Sequence, residues 1–298
     1  MSQVEESALK PWKTASAVAA VAAVALLALV ANTSAHGGDF WLFDECPSRT
    51  PGVLKCVRVV ASGGEVVLGS RRTRLVHPVI LQGGVSATDE AHLFISRFYG
   101  AKAGDTLTTA PQPVAGGLLG LFPESSTPPW LETIIRYVAR RGPTSVNATL
   151  ELARPASEIE ASEYNLLGEE GVALRLPVKL HLENPILGSG CYIGSSESPF
   201  VWNLTSGTDG RGTPPGAAGG TSGTLHSQPG HEIVTIDEAR LLDRRWAAPG
   251  ASGCAGVLSS LVDPVIDSSF GLPAAAGANS AVLDSEIDVA SVGSVNAH

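Results

Sequence analysis

Positive charge is scarce in this chain. Only 20 Lys+Arg stand against 29 Asp+Glu, a net charge of −9, and charged residues of both signs make up 16% against roughly 25% for an average soluble protein. The acidic balance speaks against nucleic-acid binding, which relies on basic patches to neutralise phosphates. It also speaks against direct attachment to anionic wall polymers or lipid headgroups, unless divalent cations bridge them. The 33 Gly and 20 Pro fall short of the roughly 25–30% that marks low-complexity chains. With 44% hydrophobic residues there is enough apolar side chain to bury a core, so wholesale disorder and collagen-like repeats are excluded.

Local catalytic motifs are lacking as well. The G-x-S-x-G nucleophile elbow is approached only by Gly250-Ala251-Ser252-Gly253-Cys254, which fails at its last position and reads as a tight turn presenting Cys254. No Walker A or G-x-G-x-x-G loop occurs, so nucleotide binding is unsupported. His231-Glu232 starts like a zincin motif, but Thr235 occupies the place of the second ligand. Asp44/Glu45 and Glu169/Glu170 are neighbours in sequence, as in solvated loops, and Asp209 alone does not make a calcium loop. No cofactor and no metal is expected. A triad assembled only in space escapes such a search, which keeps an exported hydrolase as the alternative to a non-catalytic role.

The one long apolar run is N-terminal. Lys10 and Lys13 precede Ala15–Val30, in which only Ser16 is polar, and Thr33-Ser34-Ala35 offers small residues for cleavage. Residues 1–35 therefore read as a secretory signal peptide cut before His36. The competing reading is a retained membrane anchor, but the run is Ala-rich and shorter than the ~20 apolar residues that span a bilayer. On the first reading the chain meets the membrane only transiently, and residues 36–298 form an extracellular or cell-envelope domain.

Four cysteines remain: Cys46, Cys56, Cys191 and Cys254. Four allow three connectivities. Proximity favours Cys46–Cys56, across a segment with two prolines and a glycine, which leaves Cys191–Cys254. A zinc site built from all four is the rival, but neither pair has the short C-x2–4-C spacing of structural zinc.

Strand-like segments dominate the rest. Val53–Val60, Gly64–Gly69, Arg74–Leu81 and His92–Tyr99 are separated by turn residues, and Phe200–Leu204 and Ile233–Ile236 follow later. Val172–Leu182 alternates over eleven residues, with Val172, Leu174, Leu176, Val178, Leu180 and Leu182 on an apolar face and Ala173, Arg175, Pro177, Lys179 and His181 on a wet one. Pro177 cannot donate to a ladder, which places this strand at an edge or a bulge, and His181 reads as a solvated histidine. Ala281–Val289 alternates with Leu283, Ile287 and Val289 on one face.

A helix is predicted from a Thr127 cap through Pro128 and Pro129 to Gly142-Pro143, with Trp130, Leu131, Ile134, Ile135 and Val138 as its core face. A second is predicted near Ala255–Val262. The Pro/Gly-rich 111–128 segment is a possible sub-boundary, and 206–230 reads as a flexible loop. The fold class is mainly antiparallel β, sandwich-like, or α+β with two or three short helices.

VRVVASGGEVVLGS, HPVILQGG, LRLPVKLHLENPILGSGCYIGS, APGASGCAGVLSSLVDP and GLPAAAGANSAVLDSEI together resemble secreted actinobacterial proteins of unknown function, streptomycetes included. The 15 Arg to 5 Lys ratio suits a GC-rich genome. The resemblance implies a signal peptide and four cysteines placed as here, and it brings no activity, cofactor or catalytic residue.

These features point to a non-catalytic exported protein that binds a protein or glycan, or self-associates, with no nucleic acid. Trp41, Tyr192 and Trp246 are the contact candidates, as aromatics outside the clean core faces. A membrane-tethered factor that keeps its N-terminal helix is the third reading. N-terminal sequencing of exported material should begin near His36, and a start at Met1 or Ser2 would contradict the cleavage.

Overall fold

Alternation of apolar and polar side chains puts one face of a strand on a core and leaves the other for solvent. The computed structural model, which describes residues 39–88, 94–125, 127–140, 142–207, 219–227 and 232–298, is built mainly on that pattern. Residues 1–35, their cleavage point and much of the Gly/Pro-rich segment lie outside the described residues. The strands are β1 (Lys55–Leu68), β2 (Arg71–Arg74), β3 (Val79–Val85), β4 (Ser96–Gly100), β5 (Leu107–Thr109), β6 (Gln112–Pro113), β7 (Asn147–Leu152) and β8 (Glu160–Ala161). They continue as β9 (Leu174–Glu183), β10 (Tyr192–Ile193), β11 (Phe200–Leu204), β12 (Thr224–Ser227), β13 (Ile233–Asp243), β14 (Ala251–Ser252) and β15 (Ser280–Ser291). The helices are α1 (Gly117–Leu121), α2 (Pro129–Ala139), α3 (Glu163–Gly168), α4 (Ser259–Phe270) and α5 (Val292–Ala297).

The strands are antiparallel and form two layers, β12-β13-β15-β1-β3 and a second centred on β9, made continuous by β4, which pairs with β3 and β8. Leu68, Leu81, Leu241 and Leu283 from the first layer share one core with Leu150, Leu176, Val178 and Trp202 from the second. The fold is thus mainly antiparallel β and sandwich-like. Phe40–His298 forms one unit, with Leu118, Leu121 and Phe122 of the 111–128 segment buried in the common core, so no boundary falls there.

Several elements differ from the sequence expectation. The first two expected strands are one, β1, which passes its glycines through a bulge between Ala61 and Gly63. Gly64 is needed there, since at φ +124° a Cβ would meet the Val282 carbonyl oxygen at 2.0 Å. The Arg74–Leu81 strand splits instead into β2 and β3. The Gln112 side chain takes the N–H groups of Val76 and His77 in the gap, at 2.9 and 3.1 Å. Part of the 206–230 segment is strand: Thr224–Ser227 pairs with β13.

Pro177 is not at an edge. β9 is paired on both sides, by β11 on one and by β7 and β8 on the other. Pro177 falls where the ladders to β7 and β8 meet, between the pairs Leu152↔Val178 and Glu160↔Arg175, and its carbonyl accepts from Ala153 N–H at 3.1 Å. A strand residue turns its N and O toward the same antiparallel neighbour, so the missing donor faces the one interval without a ladder partner.

In α2 the expected five-residue core face divides. Leu131 and Ile135 are buried, while Trp130 and Ile134 are 46% and 47% exposed. Adjacent helical positions lie about 100° apart, and only one of the two apolar rows joins the common core. Thr127 does not cap the helix; its hydroxyl donates to the Pro123 carbonyl at 2.8 Å. α4 runs past Pro264 to Phe270, because Val262, Val265, Ile266 and Phe270 recur at helical spacing and are all buried.

Both expected disulfides are present, Cys46–Cys56 and Cys191–Cys254. The first sits in a small cluster with Phe40, Phe43, Val53 and Ile233. The second ties the β9–β10 turn to the segment before α4. There Gly253, at φ +74°, passes so close to Gly190 that a Cβ would lie 2.3 Å from its carbonyl oxygen. Asp263 of α4 accepts from Gly253 and Cys254 N–H at 3.1 and 2.9 Å, and Asp267 accepts from Ala251 N–H at 2.6 Å. Replacing Cys254→Ser should cost about 2–5 kcal/mol in denaturant unfolding. An unchanged midpoint would show that this bridge does not restrain the core.

Candidate functional site

Where the two layers meet, three large side chains from two elements leave a gap. Phe200 and Trp202 of β11 point inward at period two, and Trp246 enters from the segment after β13. The ring of Phe200 lies 5.1 Å from Trp246, and Trp202 meets Trp246 edge-on at 6.1 Å. Rigid rings of this size do not fill an irregular space completely. They line a cavity of about 90 Å³ together with Val66, Leu150, Leu180 and Leu283.

Thr73 apart, the polar side chains on this wall fall into two sets. Gln112 is saturated: beyond the two N–H groups it accepts, its amide donates to the carbonyls of His77 at 2.8 Å and Ala110 at 3.2 Å. Thr109 exchanges hydrogen bonds with the Leu150 backbone, both at 3.1 Å. Arg71 donates to the Ser269 carbonyl at 3.0 Å and its hydroxyl at 2.7 Å, and also to the Gly120 carbonyl. Arg72 pairs with Glu65 at 2.9 Å. Trp202 and Trp246, only 2% and 3% exposed, form the other set, since the Nε1–H of each is buried without an acceptor. An indole nitrogen can only donate, and leaving such a buried donor unmet costs roughly 1–3 kcal/mol. Both residues also line the cavity, and this stretch of wall, with its unmet donors buried behind it, is the strongest functional signal in the core.

A second feature lies on the outer face of β15. Both neighbours bulge at the same level: β1 between Ala61 and Gly63, β13 between Ile236 and Ala239. The inserted residues Ser62, Asp237 and Glu238 line an open depression with Asp284, Glu286, Thr224 and His226. His226 Nε2 stands 3.3 Å from Asp237. Burial, then the charges of Asp288 and Asp237, push the Glu286 carboxyl above the usual range. Asp288, beside it, is raised chiefly by burial, which outweighs its hydrogen bond from Thr235 at 2.8 Å and Arg58 at 3.6 Å. The period-two polar positions 284, 286 and 288 were visible in the sequence, but the paired bulges were not.

Of the predicted contact residues, only Trp41 stands clear in solvent, 65% exposed on the turn Asp39–Phe43. Tyr192 stacks on His181 at 4.5 Å and carries the Lys179 ammonium 4.1 Å over its ring. Trp246 is a core residue and cannot be a surface contact. The structure does not bring the three together. His181 is not a plain solvated side chain either. It is 18% exposed, with Nδ1 3.4 Å from Glu151, while Nε2 is buried without a partner.

Comparison with protein-family models, curated proteins and solved structures finds no match.

The Asp288 environment sets a sign for pH. A carboxyl raised in the folded state favours folding when protonated. Stability is then lost as pH rises from the ordinary Asp range through the raised native value. Relative to Asp288→Asn, the native protein should lose stability across that interval in denaturant titrations. A pH-independent difference would show that Asp288 is not held above its ordinary range.

Proposed function

We propose that the protein is exported and acts as a non-catalytic binding protein, holding a small molecule in the cavity between its layers. One observation carries the reading: an apolar cavity of about 90 Å³ lies against Phe200, Trp202 and Trp246. Concave, mostly apolar pockets with a few polar groups are where proteins hold small ligands. Two disulfides support work in an oxidising compartment. Among the described residues no helix is long and apolar enough to cross a membrane.

The cavity can be tested by filling it. Ala148 lies on its wall, and Ala148→Ile places a larger side chain there. A small hydrocarbon should move the methyl resonances of Leu150, Leu180 and Leu283 saturably in the native protein and not in the variant. If the hydrocarbon moves none of them in the native protein, this site is not a binding site.

The second reading, an exported hydrolase, rests on the bulge-flanked depression with its raised Glu286 and the His226–Asp237 pair. It predicts turnover in a broad panel of ester, peptide and glycoside substrates, lost in Glu286→Gln with folding intact. Absence of turnover across the panel removes it.

A further inference from the structure

In a chain of net charge −9, the cavity wall carries a positive charge with no counter-ion. β2 runs Arg71-Arg72-Thr73-Arg74. Arg72 is paired with Glu65, which also faces Arg74 across the ladder to β1. Arg71 and Thr73 alternate with them, are half-buried, and line the cavity. The Arg71 guanidinium lies 5.6 Å over the Phe270 ring, and every group it donates to is neutral: the Ser269 carbonyl and hydroxyl and the Gly120 carbonyl. Among the described residues no carboxylate pairs with it. The carboxylates of the neighbouring elements are held elsewhere, Glu65 by Arg72, Asp267 by Ala251 N–H and Asp284 by Arg240 at 2.7 Å.

Donors remain for an anion. Nε and Nη2 of Arg71 make the contacts above, while Nη1 makes none among the described residues and, unlike the indole nitrogens of Trp202 and Trp246, is not sealed from solvent. The Thr73 hydroxyl, two residues on along the same face, is also without a partner there and is not sealed. A guanidinium beside apolar surface favours a carboxylate, because the two form charge-assisted hydrogen bonds and each offsets the hydration the other loses. A neutral ligand leaves the charge unanswered, and a cation is repelled. Size sets the tail. At about 90 Å³ the space is smaller than the cavity of roughly 150 Å³ that accepts benzene, which leaves room for about three to five carbons.

We propose that the cavity binds a short-chain aliphatic monocarboxylate. Its tail lies among Leu68, Leu150, Leu180 and Leu283, its carboxylate accepts from Arg71 Nη1, and the Thr73 hydroxyl is the neighbouring donor. The proposal rests on the cavity being the binding site, and the experiment separates the two. Three probes share nearly one tail: 3-methylbutanoate, its amide, and 2-methylbutane. Each is titrated at pH 7 into the full protein while ¹H–¹⁵N arginine and ¹³C methyl resonances are followed, with Arg71→Lys assigning the Arg71 signal. The carboxylate should move that signal and the methyls of the four leucines to saturation together. It should bind on the order of tenfold more tightly than the amide, the difference expected between a charge-assisted and a neutral hydrogen bond. The hydrocarbon should move the methyls alone.

In Arg71→Gln the carboxylate affinity, taken as a ratio to the hydrocarbon affinity, should drop on the order of tenfold, and Arg71→Lys, which keeps the charge, should recover part of the loss. If the hydrocarbon binds but the amide and carboxylate bind equally, or Arg71→Gln leaves the ratio unchanged, the ligand class is wrong and the cavity stands. A carboxylate that moves the Arg71 signal and no leucine methyl pairs outside the cavity, which also overturns the class. If no probe reaches the methyls, the binding reading itself falls. Should Arg71→Gln fail to fold, the comparison of carboxylate with amide in the native protein decides the matter.

Discussion

The packing of Phe200, Trp202 and Trp246 between the two layers is the constraint on which the rest of the structure turns. Close packing of flexible aliphatic side chains tends to eliminate voids. Three large rings from β11 and the segment after β13 cannot interdigitate as finely, and they arrive with two polar atoms that the surrounding leucines cannot satisfy. The β framework holds that arrangement in place. β11 is registered on β9 from Phe200↔Val178 to Leu204↔Leu174, and Asn279 accepts Gly69 N–H while donating to the Trp246 carbonyl at 2.9 Å. A core that keeps such a feature under these restraints is built around it.

The covalent and ionic restraints lie around this core. The Cys191–Cys254 bridge and the two aspartates of α4 fix the segment that leads from Trp246 into the helix. α4 in turn places Phe270 on the cavity wall, with Arg71 5.6 Å over its ring. On the outer face of β15, the paired bulges give up regular ladder to open a depression lined by carboxylates, of which Glu286 is raised by burial and by the charges of Asp288 and Asp237. The two sites lie on opposite sides of the same layer, so the chemistry of one places no demand on the other.

Much of the fold was legible in the sequence. Period two along β9 and β15 is a direct record of one buried face, and the cysteine spacing allowed the observed pairing. The departures have physical causes. Pro177 misled because an internal strand tolerates a missing donor where its neighbour changes from β7 to β8, a topological fact that no local pattern carries. The α2 stripe misled because a run such as Trp130-Leu131 and Ile134-Ile135 spans two helical rows, and only docking against the common core selects one. Trp246 read as a surface aromatic because it stands outside any periodic run, where burial is decided by tertiary contact alone. The candidate site was therefore half legible. Trp202 stands at an alternate position of the strand-like Phe200–Leu204 segment, but that it would share a cavity wall with Trp246 follows only from bringing β11 and the segment after β13 together.

A crystal structure of the protein grown with a small hydrocarbon such as 2-methylbutane tests the central claim most directly. The account predicts density inside the cavity lined by Phe200, Trp202 and Trp246. A closed core with no space beside these rings would contradict it.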